Sequence, residues 1–241
     1  MNKTVFIRPI VIIILSAFTA FYFYIDMQTT REVKDVSILQ GNDKSPKTAL
    51  TFNVSWGNEV IYDILSTLKK ENIRATFFVS GEWTERHQHI IELMQEDNHE
   101  LAFNGNRYTN YLNDDVEEMK RDIVSGLEIL KKYDITPTYI RKPNGIFDEE
   151  MQTYLKQFPL QAVYYSLHTN DTNASSASSI HKEVVKNINN GDIILMHGTD
   201  AAIYTAEALQ KIIPDLKKNN MQILTLTELL QEIDIEEKSL D

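Results

Sequence analysis

The chain runs to 241 residues, a length for one domain or one domain with an appendage. Its 35 acidic and 24 basic residues leave a formal charge of -11, which repels polyphosphate and argues against a nucleic-acid partner. Hydrophobic residues at 42% make it globular, and the lack of cysteine excludes disulfides, Cys-ligated zinc and a Cys nucleophile while suiting export without oxidative folding.

Residues 9–25 (PIVIIILSAFTAFYFYI) form an uncharged run of 17, at the short end for a membrane-spanning helix. Lys3 and Arg8 precede it and Asp26 follows, so the positive-inside rule keeps residues 1–8 in the cytoplasm and exports the rest. A cleavable signal peptide is the competing reading. No A-x-A site closes the run, and Phe21, Tyr22, Phe23 and Tyr24 form an interfacial belt, which favours an uncleaved, single-pass signal-anchor in the cell membrane. Residues 26–47 are polar and weakly periodic, the composition of a tether. A domain over 48–233 and an acidic tail over 234–241 follow.

Beyond the tether, short apolar runs alternate with amphipathic stretches. Strands are expected at 49–53, 75–80, 100–103, 138–141, 162–166, 192–197 and 222–225. The clearest helix is 114–133, where Val116, Met119, Ile123, Leu127 and Leu130 share one face. Another is expected over 85–97, Asn58 is positioned to cap the first helix, and Pro214 should kink a helix over 202–218. This α/β pattern of seven units implies parallel strands and right-handed crossovers. A full barrel of this type needs eight units, so an incomplete, distorted (β/α)7 barrel is expected, with an open doubly wound sheet as the alternative.

In such barrels the chemistry sits where strands end. The exits here are Asn53 to Gly57, Asn104 to Tyr108, Arg141 to Gly145, His168 to Asp171, and His197-Gly198. Arg141 and His197 stand out because each ends an apolar strand and should reach inward. The plainer readings are an Arg141 paired with an acidic neighbour and a His197 satisfied at a strand end.

Five of these stretches resemble, in order, the motifs of the polysaccharide deacetylases of the NodB-homology type (carbohydrate esterase family 4), especially a PdaB-like sporulation group. Leu50 to Gly57 (LTFNVSWG) is similar to LTFDxSWG, and His99 to Tyr108 to a GHEIGxHxxxH-like stretch. Arg141 to Gly145 fits RxPxG, Tyr165 to Asp171 resembles WSxxxxDW, and Leu195-Met196-His197 fits LxH. The resemblance covers about residues 45 to 230 and implies a distorted, incomplete β/α barrel. It also implies metal-assisted hydrolysis of the N-acetyl C–N bond of amino sugars, with zinc or another divalent ion held by one Asp and two His.

Carried over residue by residue, the resemblance exposes losses. Its base falls on Asn53, whose amide cannot take a proton from water. Its metal ligands fall on Val54, Asn104 and Tyr108, which offer no donor, a weak amide oxygen and a phenol that ionises near 10. No cofactor is therefore expected. Arg141, Asp171 and His197 remain, with Asp171 placed to orient His197. Thr172 replaces the fourth motif's Trp. Trp56, Tyr108, Pro143 and Asn144 are candidate glycan contacts, although Trp56 and Tyr108 read equally as core. His87, His89, His99, His168 and His181 read as surface or helix residues.

The expectation is a membrane-anchored, extracytoplasmic protein of cell-wall glycan metabolism that has become an impaired enzyme or a pseudoenzyme. Its partners would be peptidoglycan or a related N-acetylated glycan, and the membrane through the N-terminal helix. A noncatalytic envelope scaffold is the rival, and a filled groove around Asn53, Tyr108 and His197 would favour it.

Overall fold

The computed structural model describes residues 40–41, 44–111, 113 and 115–231. The expected membrane segment, most of the tether and the acidic tail lie outside them. Among the described residues no helix is long and apolar enough to cross a membrane. The tether's end already belongs to the fold: Gln40 bridges Asp192, and the Gly41 N–H donates to the Gly191 carbonyl.

The strands are β1 (Lys47–Val54), β2 (Thr76–Val79), β3 (Glu100–Phe103), β4 (Tyr139–Ile140), β5 (Gln161–Ala162), β6 (Leu167–His168), β7 (Asp192–His197) and β8 (Gln222–Leu224). The helices are α1 (Val60–Glu71), α2 (Gly81–Arg86), α3 (Gln88–Glu96), α4 (Val116–Lys132), α5 (Glu149–Leu155), α6 (Ala177–Asn187) and α7 (Thr205–Lys218). These strands pair in parallel, in the order β5-β4-β3-β2-β1-β7-β6, with β8 joining β1. The sheet is a curled half-barrel, open between β5 and β6.

Side-chain alternation along β1 sorts its residues between two layers. Leu50, Phe52 and Val54 pack with Ile61, Ile64 and Leu68 of α1 and with Leu209, Ile212 and Ile213 of α7. Ala49 packs on the other face with Phe78, Ala102, Ile193 and the leucines Leu226, Leu229 and Leu230, which plug the barrel. That inner cluster fits a barrel better than a doubly wound sheet.

Several local expectations change. The run at 162–166 is not one strand: β5 ends at Ala162, β6 begins at Leu167, and the residues between carry the chain from one sheet edge to the other. Ser166 is captured by β7: its N–H donates to the Ile193 carbonyl, and its hydroxyl accepts from the Ile193 N–H and donates to Asp192. The helix expected over 85–97 breaks into α2 and α3 at His87, whose ring stacks on Trp83 and bonds its carbonyl. Asn58 does not cap α1. Asp200, from the loop after β7, instead accepts from the backbone N–H groups of Asn58, Glu59 and Val60 at 2.8–3.1 Å. Pro214 lies inside α7, within the helical run expected there.

Candidate functional site

At the C-terminal strand ends lies a cleft of about 430 Å³. Its walls include Asn53, Trp56, Asn104, Tyr108, Pro143 and His197. Trp56 and Tyr108 are 53% and 46% exposed, so neither is core.

Two buried or half-buried carboxylates shape the walls. Asp200 clamps the start of α1, and the preceding Gly57 has φ +74°, where an added Cβ would come within 2.4 Å of the Asp200 carboxyl carbon. The indole N–H of Trp83 donates to the Gly57 carbonyl at 2.7 Å, fixing the Trp56 loop from its other side. Asp122 of α4 accepts from the backbone N–H groups of Asn106 and Arg107 and from the Tyr111 hydroxyl. It thereby anchors the loop that carries Asn104 and Tyr108. Burial pushes the Tyr111 phenol well above its usual range, and the Asp122 charge adds to this.

Arg141 lies under the cleft floor, 1% exposed. One guanidinium nitrogen donates to the Thr51 hydroxyl at 3.0 Å and the Asn53 amide oxygen at 3.1 Å, and another to the Tyr164 carbonyl at 2.8 Å. The group stacks 3.9 Å from the Phe78 ring centre. Among the described residues it faces no carboxylate, and its Nε is buried without a hydrogen-bond partner. Burial lowers its pKa to about 9. The plain ion-pair reading of Arg141 therefore fails: an amide stands where a counter-ion would.

The third component is an Asp–His pair. Asp171 Oδ1 is 2.8 Å from His197 Nδ1, and Asp171 Oδ2 accepts from the His197 backbone N–H at 2.7 Å and the Thr205 hydroxyl at 2.8 Å. Burial alone would raise the Asp171 pKa, but the bonds and charge of His197 with the Thr205 bond hold it below the usual value. In the neutral imidazole the carboxylate keeps the one ring proton on Nδ1 and leaves Nε2 with its lone pair.

The other expected residues fall as follows. Val54 is fully buried against the helical layer, on the face opposite Asn53, and does not line the cleft. Asn144 is exposed, its amide donating to the Tyr111 carbonyl, and does not line the cleft. Thr172 lines the cleft where the family motif has Trp. His99 departs from its surface reading: it is 7% exposed, and burial lowers its pKa to about 4. His168 is half-buried with its ring centre 6.1 Å from that of His197. Its pKa is lowered by burial and then by the charge of His197. Thr51, Thr205, Asp122 and Asp200 were missed. Of these only Asp200 carried a signal, as a carboxylate just after the sixth expected strand.

This donor set does not fit the zinc that the resemblance implies. The cleft walls supply amides, hydroxyls, a phenol, the Glu82 carboxylate already paired with Arg86 and Arg107, and one imidazole whose Nδ1 is committed to Asp171. Among the described residues no three His, Asp or Glu side chains group so as to hold a metal ion. The Asp–His pair can accept a proton, but among the described residues no ligand cluster would hold the metal ion that polarises the carbonyl in the family reaction.

The polysaccharide deacetylase family model matches residues 40–163. The chain is 31% identical over 189 residues to a peptidoglycan-N-acetylglucosamine deacetylase of Bacillus cereus, covering 76% of this chain and 87% of that protein. It is 29% identical over 201 residues to the uncharacterized protein YlxY of Bacillus subtilis, covering 81% of this chain but only 60% of that protein. In structure it is similar to BA3943, described as a CE4 family pseudoenzyme from Bacillus anthracis, with a TM-score of 0.76, 25% identity, and coverage of 82% of this chain and 70% of that one. A mutant of that pseudoenzyme, described as having restored enzymatic activity, aligns with the same TM-score. By its motifs, half-barrel and matched residues, this chain belongs to the polysaccharide deacetylase family.

Proposed function

We propose that the protein binds N-acetylated cell-wall glycan, such as peptidoglycan, through this cleft and has lost deacetylase catalysis. The observation that carries the reading is the amide of Asn53 bonded to buried Arg141 at the base position. The fold holds the site together but puts an amide at the family's base position and no donor set that fits the family's zinc, and base and metal each commonly contribute several kcal/mol to such a reaction. The openness of the cleft, with Trp56 and Tyr108 exposed on its walls, favours a binding module over a scaffold with a filled groove. An extracytoplasmic position rests on the apolar run at 9–25 and its flanking charges, and sporulation rests on the PdaB-like motifs alone.

Cosedimentation of the full chain with purified peptidoglycan tests the binding. Exposed aromatic faces are the largest apolar contacts the cleft offers, so Trp56→Ala with Tyr108→Ala should cut the bound fraction at least about tenfold. Unchanged sedimentation of the double variant would overturn the reading.

A further inference from the structure

The Arg141 guanidinium is a buried positive charge that no carboxylate among the described residues offsets. The ionisable groups that act on it are two phenols, those of Tyr165 and Tyr164, rather than acids. An uncompensated buried charge is a standing cost. Asn53 carries its influence to the cleft. A guanidinium only donates, so the 3.1 Å bond fixes the Asn53 oxygen on Arg141 and turns the amide nitrogen the other way. Asn53 lines the cleft, and among the described residues its Nδ2 makes no hydrogen bond, yet that nitrogen is not sealed from solvent. The cleft floor therefore presents an N–H donor polarised from behind by a cation. An aspartate at this position would neutralise Arg141 and present negative charge instead. The nearby carboxylates are engaged elsewhere: Glu82 pairs with Arg86 and Arg107, and Asp171 accepts from His197 and Thr205.

From this we infer that the cleft floor at Asn53 is a carboxylate site, and that it takes an acidic sugar whose carboxylate accepts from Asn53 Nδ2 and supplies the counter-charge Arg141 lacks. The inference rests on the proposed glycan binding and adds to it the charge of the sugar and the atom that reads it. Arg141 does not touch the ligand, because Coulomb attraction acts across the intervening amide. One uncompensated charge matches one carboxylate, whereas the net charge of -11 disfavours a polyphosphate. A uronic acid offers the group on its ring carbon, and muramic acid offers it through a lactyl ether.

Trp56 lines the same cleft, so tryptophan fluorescence of the full chain follows binding. The ligands are methyl glucuronoside and N-acetylmuramic acid, each titrated against its neutral methyl ester, and acetate alone. At least one acid sugar should bind at least about tenfold more tightly than its ester, the scale of one partly screened charge. The sugar that shows the preference identifies the source of the carboxylate. Asn53→Asp gives Arg141 its own counter-ion and should erase the preference, as should Arg141→Met. Thermal melts check that both variants fold, and the near-isosteric Asn53→Asp keeps the test decisive if Arg141→Met does not. Acetate binding as tightly as the acid sugars would overturn the sugar's part in the site. Equal binding of acids and esters by the unaltered chain, or a preference that survives in folded Asn53→Asp, overturns the inference and leaves glycan binding standing. If none of the ligands binds, both fall.

Discussion

Asn53 and Asn104 occupy space much as an aspartate and a histidine would at a strand end, while removing a proton acceptor and a metal ligand. Arg141 shows how the fold tolerates the first loss, for its guanidinium still has an oxygen to bond at Asn53. Asn53→Asp alone should leave acetate release from N-acetylated glycan at background, since a restored base still lacks an electrophile; a clear rate from that single change would contradict this. His99 supports a prediction of another kind. Its pKa is about 4 when folded against the ordinary 6.5 of a histidine, so the unfolded chain binds more protons between those values. Its stabilising contribution is complete above about pH 6.5 and is lost as pH falls towards about 4, a difference on the order of 3 kcal/mol at most. Stepwise thermal melts should show the midpoint falling through that window, and the slope should flatten in His99→Gln. A midpoint constant across the window would refute the assignment.

Among the elements, those with repetitive patterns were legible and those built by distant partners were not. Helix α4 was readable because its apolar residues recur every three or four positions, and it is capped by Asp115. Strands β1 and β7 were readable as long apolar runs. The split of 162–166 was not, because only the capture of Ser166 by β7 tells the chain to change edges. The same holds at the site. Motif order placed Asn53, Arg141, Asp171 and His197, but nothing local says that Asp200 caps a helix 141 residues earlier in the chain. Asp200→Ala should cost about 1–2 kcal/mol in urea unfolding, as loss of an N-terminal cap does. Glu59→Ala is the control, because the Glu59 side chain makes no capping bond. Equal stability of the Asp200 variant and the unaltered chain would remove the clamp from this account.

At the scale of the whole molecule, one half-barrel brings the ends of β1, β3 and β7 around a single cleft, and the clamping residues preserve its shape independently of turnover. The proposed topology is open to a direct check: alkaline phosphatase fused after Leu39, just before the Gln40 bridge, should be active only if the chain emerges outside the membrane, and an inactive, stably expressed fusion would contradict export. The central claim is that the architecture persists without its hydrolytic chemistry. The most direct test is to measure zinc content and acetate release together for the purified full chain, for the Asn53→Asp and Asn104→His single variants and for the double variant, each incubated with zinc and an N-acetylated glycan. The account predicts substoichiometric zinc and background acetate release for the unaltered chain, and more zinc for the double variant than for either single change. Stoichiometric zinc in the unaltered chain with turnover at an ordinary enzyme rate, about 10 per second, would contradict it.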